Sequence, residues 1–237
     1  MSGSLKVLFP RAHVGLEALL INTAGGITGG DQFELDAEAR AGSHLTLTTQ
    51  AAERVYRSTA GHGTVNTRLK AEDRSRLNWL PQELIFFDGG ALNRKLQVDL
   101  IGDAQLLLVE PVVFGRVAMG ETVSTGTLND RIEINRDGLP LYRDALRFGP
   151  DMRRAQGLRA GLCGAGAMAC VVYVAPDAEA HLDHLRAHLP ATAGASLLTQ
   201  DVLCLRFIAA DSFELRRALV PALERLNKAD LPVSWRL

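Results

Sequence analysis

The sequence predicts a mainly β protein of stacked antiparallel sheets, sandwich-like in build, with two α-helices in its C-terminal third. From Leu5 to about Tyr142, short runs alternate apolar and polar residues and end in glycine, aspartate or asparagine, as successive half-buried strands do. Turn signals recur at Gly29-Gly30, Gly42, Gly61-His62-Gly63, Gly89-Gly90, Gly102-Asp103 and Asp137-Gly138. They leave little room between them for helices of ordinary length. After about Gly149 the leucine spacing becomes helical.

The elements follow in order. Phe33, Leu35 and Ala37 alternate with Glu34 and Asp36, and Leu45 and Leu47 with Thr46 and Thr48. Further on, Leu96, Val98 and Leu100 alternate with Gln97 and Asp99, and Ile132 and Ile134 flank Glu133. Each run turns one face inward. Trp79 to Asp88 sets Gln82, Glu83 and Asp88 among aromatic and aliphatic residues, with Pro81 at an apparent strand edge. That mixture suits a partner surface, a wet internal passage, or a buried strand with polar ends. Val109 to Glu121 places Glu110, Arg116 and Glu121 amid apolar residues, where a charge must be paired or hydrated.

The uncharged run Ala160 to Pro176 is short for a membrane span and contains Gly161, Gly164 and Gly166, so it reads as a loop and a buried strand. Asp177 to Leu189 carries Leu182, Leu185 and Leu189 at helical spacing, with Asp177 as N-cap. A second helix starts near Asp211, which has capping-box spacing to Glu214. Leu215, Leu219, Ala222 and Leu226 continue its stripe, and Pro221 should kink or divide it. Met168 to Val174 and Val202 to Ile208 read as buried strands, and Val233 to Leu237 as a last one. With no internal repeat or low-complexity linker visible, the chain reads as one domain over 1–237, β-rich over 5–145 and mixed α/β over 150–237. The break near 145–160 marks a change of layer.

The 26 basic and 27 acidic residues leave a formal charge of -1, so no global field draws the protein to nucleic acid or to an anionic membrane. Arginine supplies 22 of the basic residues, which either favours planar pairing at protein contacts or reflects codon bias. Arg143, Arg147, Arg153, Arg154 and Arg159 form a local basic cluster, a dock for a protein or a solvated face. The cysteines Cys163, Cys170 and Cys204 include no CxxC pair, and the start Met-Ser-Gly-Ser-Leu-Lys-Val lacks an export signal. A reducing cytoplasm is expected.

Asn22 to Asp31 holds four glycines in ten residues and superficially resembles a phosphate cradle. It lacks a Gly-Lys-Ser/Thr ending, and a strand follows it where a phosphate loop needs a helix. A tight strand crossing, with glycines supplying positive φ or close packing, is the stronger reading, and Asp31 is its functional candidate. His181, His184 and His188 form one stripe on the first helix, either a nickel or zinc face or a solvated flank. His13, His44 and His62 stand alone. No Gly-x-Ser-x-Gly elbow occurs, and Cys163 sits in apolar surroundings that leave a thiol inert. Acid and base work would have to be assembled from Glu53, Glu83, Glu110 and Glu121.

In this order, the segments Asn22-Thr-Ala-Gly-Gly-Ile-Thr-Gly-Gly-Asp31, Leu45 to Ser58, Trp79 to Gly89, and Glu110 through Phe114 to Glu121 resemble the urease accessory protein UreD (UreH) family. The resemblance runs from about Leu5 to the end and weakens after about Gly149; family members carry further strand material ahead of the position of Leu5. It implies a β-rich stack with two helices, a cytoplasmic location and no catalytic turnover. It implies partners as well: UreF, the GTPase UreG recruited through UreF, and the urease apoprotein, with no role for nucleic acid or membrane. No cofactor should be tightly bound; nickel would be in transit along an internal route. On this reading Asp31, Glu53, Glu83, Asp88 and Glu110 are lining or transient oxygen contacts, and Arg116 is their charge partner. The rival is a metal-dependent orphan hydrolase using clustered glutamates, with His181, His184 and His188 as its metal face. A β module that binds one partner is a third reading.

Overall fold

The computed structural model describes residues 3–12, 14–116, 119–159 and 161–236; Met1, Ser2, His13, Val117, Ala118, Ala160 and Leu237 lie outside the described residues. The chain starts with β1 (Leu5–Leu8) and β2 (Leu16–Asn22), crosses to β3 (Gln32–Ala39), and returns in β4 (His44–Thr49) and the short β5 (Glu53–Val55). It repeats this move through β6 (Gly63–Ala71), β7 (Arg76–Leu80), β8 (Leu84–Phe86), β9 (Gly90–Leu100), β10 (Gln105–Phe114) and β11 (Gly126–Arg136). β12 (Leu139–Phe148) folds back on β11. Then come α1 (Met152–Gly157), β13 (Ala167–Val174), α2 (Ala178–His188), β14 (Ala193–Thr199), β15 (Val202–Ala209) and α3 (Ser212–Asn227).

Two sheets stack. The first runs β1-β2-β4-β7-β10-β13-β15-β14, with β8 and β5 paired alongside β10, and the second runs β12-β11-β9-β6-β3. The expected class, mainly β with stacked sheets and helices late in the chain, is the observed one. Strand direction is mixed, however: β2, β4, β7 and β10 pair in parallel, as do β3, β6, β9 and β11. Most glycine turns throw the chain across to the other sheet, and the hairpins β11·β12 and β14·β15 are antiparallel. Along the long ladders, register partners in neighbouring coils therefore lie 29, 32 or 36 residues apart, as in Trp79–Leu108, Thr48–Leu80 and Asn93–Asn129. The sequence shows no repeat, yet the backbone repeats as a solenoid. What recurs is inward alternation and a turn, and neither requires recurring residues.

The core has two layers. Between the sheets, Leu69, Val98, Leu100, Ile132 and Ile134 meet Leu77, Leu106, Leu108, Val172 and Val174. On the outer face of the first sheet, Val171, Tyr173 and Leu205 pack beneath Leu185, Leu215, Leu219 and Leu226 of the helices. β13 is thus covered on both faces, which explains its uninterrupted apolar run.

The helices bring corrections. α1 was not anticipated; Asp151 caps it by accepting from Arg154 N at 3.0 Å. Asp177 occupies the N-cap position of α2 without capping it, because its carboxylate accepts from Tyr173 Oη at 2.8 Å and pairs with Lys228 Nζ at 2.7 Å. α3 begins as expected, with Asp211 accepting from Glu214 N at 2.9 Å, but runs unbroken through Pro221. Burial of Leu215, Leu219, Ala222, Leu223 and Leu226 holds it against the first sheet. Val233–Trp235 is a 3-10 turn where a last strand was expected. Trp235 Nε1 donates to Leu80 O at 2.9 Å, and this anchor replaces strand pairing.

Candidate functional site

A cleft of about 980 Å3 lies between the sheets, lined by residues of β1 to β10 and their connections. Its rim includes Asp31, Gln32, Glu34 and Arg54, and its floor Trp79, Gln82, Leu96 and Glu110. Parallel register builds the floor. Trp79 pairs with Leu108, so Glu110, two residues on, points to the same inner face. Trp79 Nε1 donates to Glu110 Oε1 at 2.6 Å.

The charge beside Glu110 comes from β9. Arg94 Nη1 lies 2.5 Å from Glu110 Oε2, and its other nitrogens donate to Asp130 at 2.9 and 2.5 Å. The Glu110 contact is a charge pair outside hydrogen-bond geometry, so Oε2 has no hydrogen-bond partner among the described residues. Burial pushes Glu110 above the usual carboxylate range, against the pull of Arg94. Burial also works against the Arg94 charge, but Asp130 and Glu110 outweigh it and hold the guanidinium firmly protonated. Gln82 Nε2 is likewise without a hydrogen-bond partner among the described residues, while the Arg94 charge occupies Glu110 Oε2.

Asp31 and Glu53 stand higher in the cleft and are partly exposed. Asp31 Oδ2 accepts from Thr28 N at 2.9 Å and closes the glycine turn. In that turn a Cβ on Gly29 would fall 2.1 Å from Ala60 O, while Gly30 has φ +89°; one glycine serves close approach and the other a left-handed backbone. Glu53 Oε2 accepts from Asn22 Nδ2 at 3.0 Å and Oε1 from Arg54 N at 2.9 Å. Burial pushes Glu53 up, and the Asn22 hydrogen bond opposes the rise.

The remaining sequence candidates lie elsewhere. Glu83 is buried, but it accepts from Arg216 Nη1 of α3 at 2.9 Å, and the guanidinium stacks over Trp235 with 5.1 Å to the ring centroid. Asp88 Oδ1 accepts from Ser124 N and Thr125 N at 2.8 and 2.9 Å, and Oδ2 meets Arg57 at 2.7 Å; the Thr125 amide leads in holding it below the usual range. Arg116 is not the charge partner of the buried carboxylates. It is exposed in the loop after β10, pairs with Glu121 at 2.8 Å and lies over Phe87. Of the four glutamates weighed for acid and base work, only Glu53 and Glu110 share the cleft.

The histidine stripe does not converge. His181 packs edge-on against Tyr173 and reaches Asp177 at 3.4 Å, while His184 and His188 stack on each other with centroids 4.2 Å apart. Among the described residues no group of three or more histidine, cysteine or acidic side chains is placed to hold a metal ion. No helix among them is long and apolar enough to cross a membrane.

A sequence model described as UreD urease accessory protein matches residues 1–236. The chain belongs to the UreD family. It is 51% identical over 237 residues to the urease accessory protein UreD of Roseobacter denitrificans, covering 100% of this chain and 87% of that one. The UreD of Ruegeria pomeroyi is 50% identical over 242 residues, covering 99% and 92%, and that of Rhizobium etli 42% over 237 residues, covering 99% and 87%.

Three residues that shape this UreD-family chain escaped the sequence reading: Arg94, Asp130 and Arg216. A signal for the first two was present. Extending the β9 alternation back from Leu100 through Val98 and Leu96 to Leu92 puts Arg94 on the inward phase, and Leu128 and Ile132 do the same for Asp130. Arg216 gives no such sign; its partner Glu83 is 133 residues away and belongs to another layer.

Proposed function

We propose that this UreD-family chain is a non-catalytic urease maturation protein that passes nickel through the cleft between its sheets to the nascent urease active site. It binds the urease apoprotein and UreF, and through UreF the GTPase UreG, in the cytoplasm. Family membership supports the role in urease maturation. The observation that carries the nickel reading is the row of carboxylates through the cleft, from partly exposed Asp31 and Glu53 to buried Glu110. Each carboxylate already accepts at least one hydrogen bond from a neighbour, so a passing cation meets weak, exchangeable oxygen contacts. A closed nitrogen and sulfur site would retain nickel; transit requires release. Glu83, Asp88 and Arg116 are left with structural work beside this route.

The test is co-expression of the urease structural subunits with UreF and UreG, with and without this chain, reading urease activity, bound nickel and co-purification with UreF. Activity and nickel should appear only when the chain is present. Full activity without it overturns the maturation role, and failure to co-purify with UreF overturns the partner assignment.

A further inference from the structure

Beside the floor of the cleft, two cysteines share a cluster that nickel passage does not use. Cys170 of β13 faces Glu110 across one strand boundary and Arg206 of β15 across the other; Cys204 stands opposite Val172. The two thiols therefore lie on the same inner face, two residues out of register. Tyr142 of β12 reaches them from the second sheet, its hydroxyl 3.4 Å from Cys170 Sγ and 3.7 Å from Cys204 Sγ. Arg206 donates to that hydroxyl at 3.1 Å and pairs with Asp144 at 2.6 Å.

The thiols are not equivalent. Cys170 is buried, whereas Cys204 is partly exposed and its neighbour Arg206 has 42% of its side chain in solvent. A hydrogen bond from Cys170 leads in pulling Cys204 down to about 6, with the Tyr142 hydroxyl and the Arg206 charge helping against burial and Asp144. Its bond to Cys204, then burial, pushes the Cys170 thiol up. Near neutral pH the cluster thus holds one thiolate beside a guanidinium, the environment that makes a cysteine nucleophilic. The same guanidinium repels a second cation, so oxidation is favoured over metal capture.

We propose that Cys204 is a modification site for peroxides, oxidised to a sulfenic acid that Tyr142 and Arg206 hold by hydrogen bonds. The thiolate sulfur attacks one peroxide oxygen, the S–O bond forms and the O–O bond breaks. Sulfur gives up two electrons and peroxide takes them. With hydrogen peroxide, the hydroxyl group goes to sulfur and the departing hydroxide takes a proton from solvent to become water. The register disfavours a disulfide as product. The diagonal Cα atoms stand about 7–8 Å apart, beyond what a disulfide spans without backbone movement, although the two thiols reach each other for a hydrogen bond.

The full chain, treated with hydrogen peroxide near neutral pH in the presence of a cyclic diketone that traps sulfenic acids, reads this out by peptide mass spectrometry. Cys163 is the internal control, being more exposed than Cys204. Cys204 should take the label about tenfold faster than Cys163, as expected of a thiolate beside a fixed cation. In denaturant the two rates should converge. Arg206→Met should slow labelling at Cys204 and Arg206→Lys restore most of it, while the comparison within the unaltered protein stands without either variant. Labelling of Cys163 as fast as Cys204, or a Cys170–Cys204 disulfide in place of the label, overturns the proposal.

Discussion

Arg94 and Asp130 face each other across the parallel pair β9·β11 and join through two hydrogen bonds, at 2.9 and 2.5 Å. Their side chains are 12% and 9% exposed, and Glu110 completes a triad with one cation and two carboxylates. Arg94→Met should leave two buried carboxylates facing each other, at a cost of about 3–5 kcal/mol. Denaturant unfolding reads the loss. Combining it with Glu110→Gln should recover part of that stability, and equal losses in the single and double variants would refute the pairing.

Glu110→Gln on its own keeps the shape and an acceptor for Trp79 Nε1, so it should cost no more than about 1–2 kcal/mol. Urease matured with this variant should contain less nickel while the complex still assembles. Glu83→Gln gives the contrast. It breaks the pair with Arg216 behind Trp235 and should weaken folding, yet leave the nickel content of correctly assembled complex unchanged. Normal nickel with Glu110→Gln would remove Glu110 from the route.

The glycine turn offers a packing test. Gly29→Ala sets a methyl group 2.1 Å from both Ala60 O and Ser58 Oγ and should destabilise by about 1–3 kcal/mol. Gly194 in β14 has open space around it and no positive φ, so Gly194→Ala should stay within about 0.5 kcal/mol. Thermal unfolding of the two variants side by side should separate them clearly, and similar melting temperatures would contradict the crowding at Gly29.

Asp177 gives a pH signature. Burial raises its pKa, but Lys228 and Tyr173 more than offset this and draw it down to about 2. With an unfolded value of about 3.9, its stabilising contribution is complete above that pH and is lost as pH falls towards 2. The carboxylate is 38% exposed, so the pair is worth less than about 1 kcal/mol after solvent screening. Asp177→Asn should flatten the stability profile between about pH 4 and 2. An unchanged slope in urea unfolding would rule the pair out as its source.

Alternation of two made the strands legible, because a half-buried strand must place every second residue in the core. Phe33 to Ala37 and Leu96 to Leu100 lie in β3 and β9 as expected. The same alternation cannot tell a parallel partner from an antiparallel one, since both directions bury the same residues. Glycine turns added no direction either; an arch between sheets and a hairpin within one use the same residues. Asp31 stands out in sequence as the carboxylate closing the glycine segment, Glu53 as one of four glutamates and Glu110 as an acid in apolar company, and the fold sets all three around one cleft. Glu83 and Asp88 showed the same local pattern, but their partners, Arg216 and the amides of Ser124 and Thr125, come from segments that only the fold brings near.

One end of the second sheet is closed by β12, which runs against the direction of the coils, while the other ends at β3. A parallel stack ending in a free strand is a template on which another molecule could add a further coil. Along β3 stand Glu34, Asp36 and Glu38, of which Asp36 pairs with Arg68 and Glu38 with Lys70 of the strand behind. A second β3 brought up edge to edge would set carboxylate against carboxylate with the matching cations already taken. The acids at the rim of the cleft thus set like charge against like in any such end-on growth.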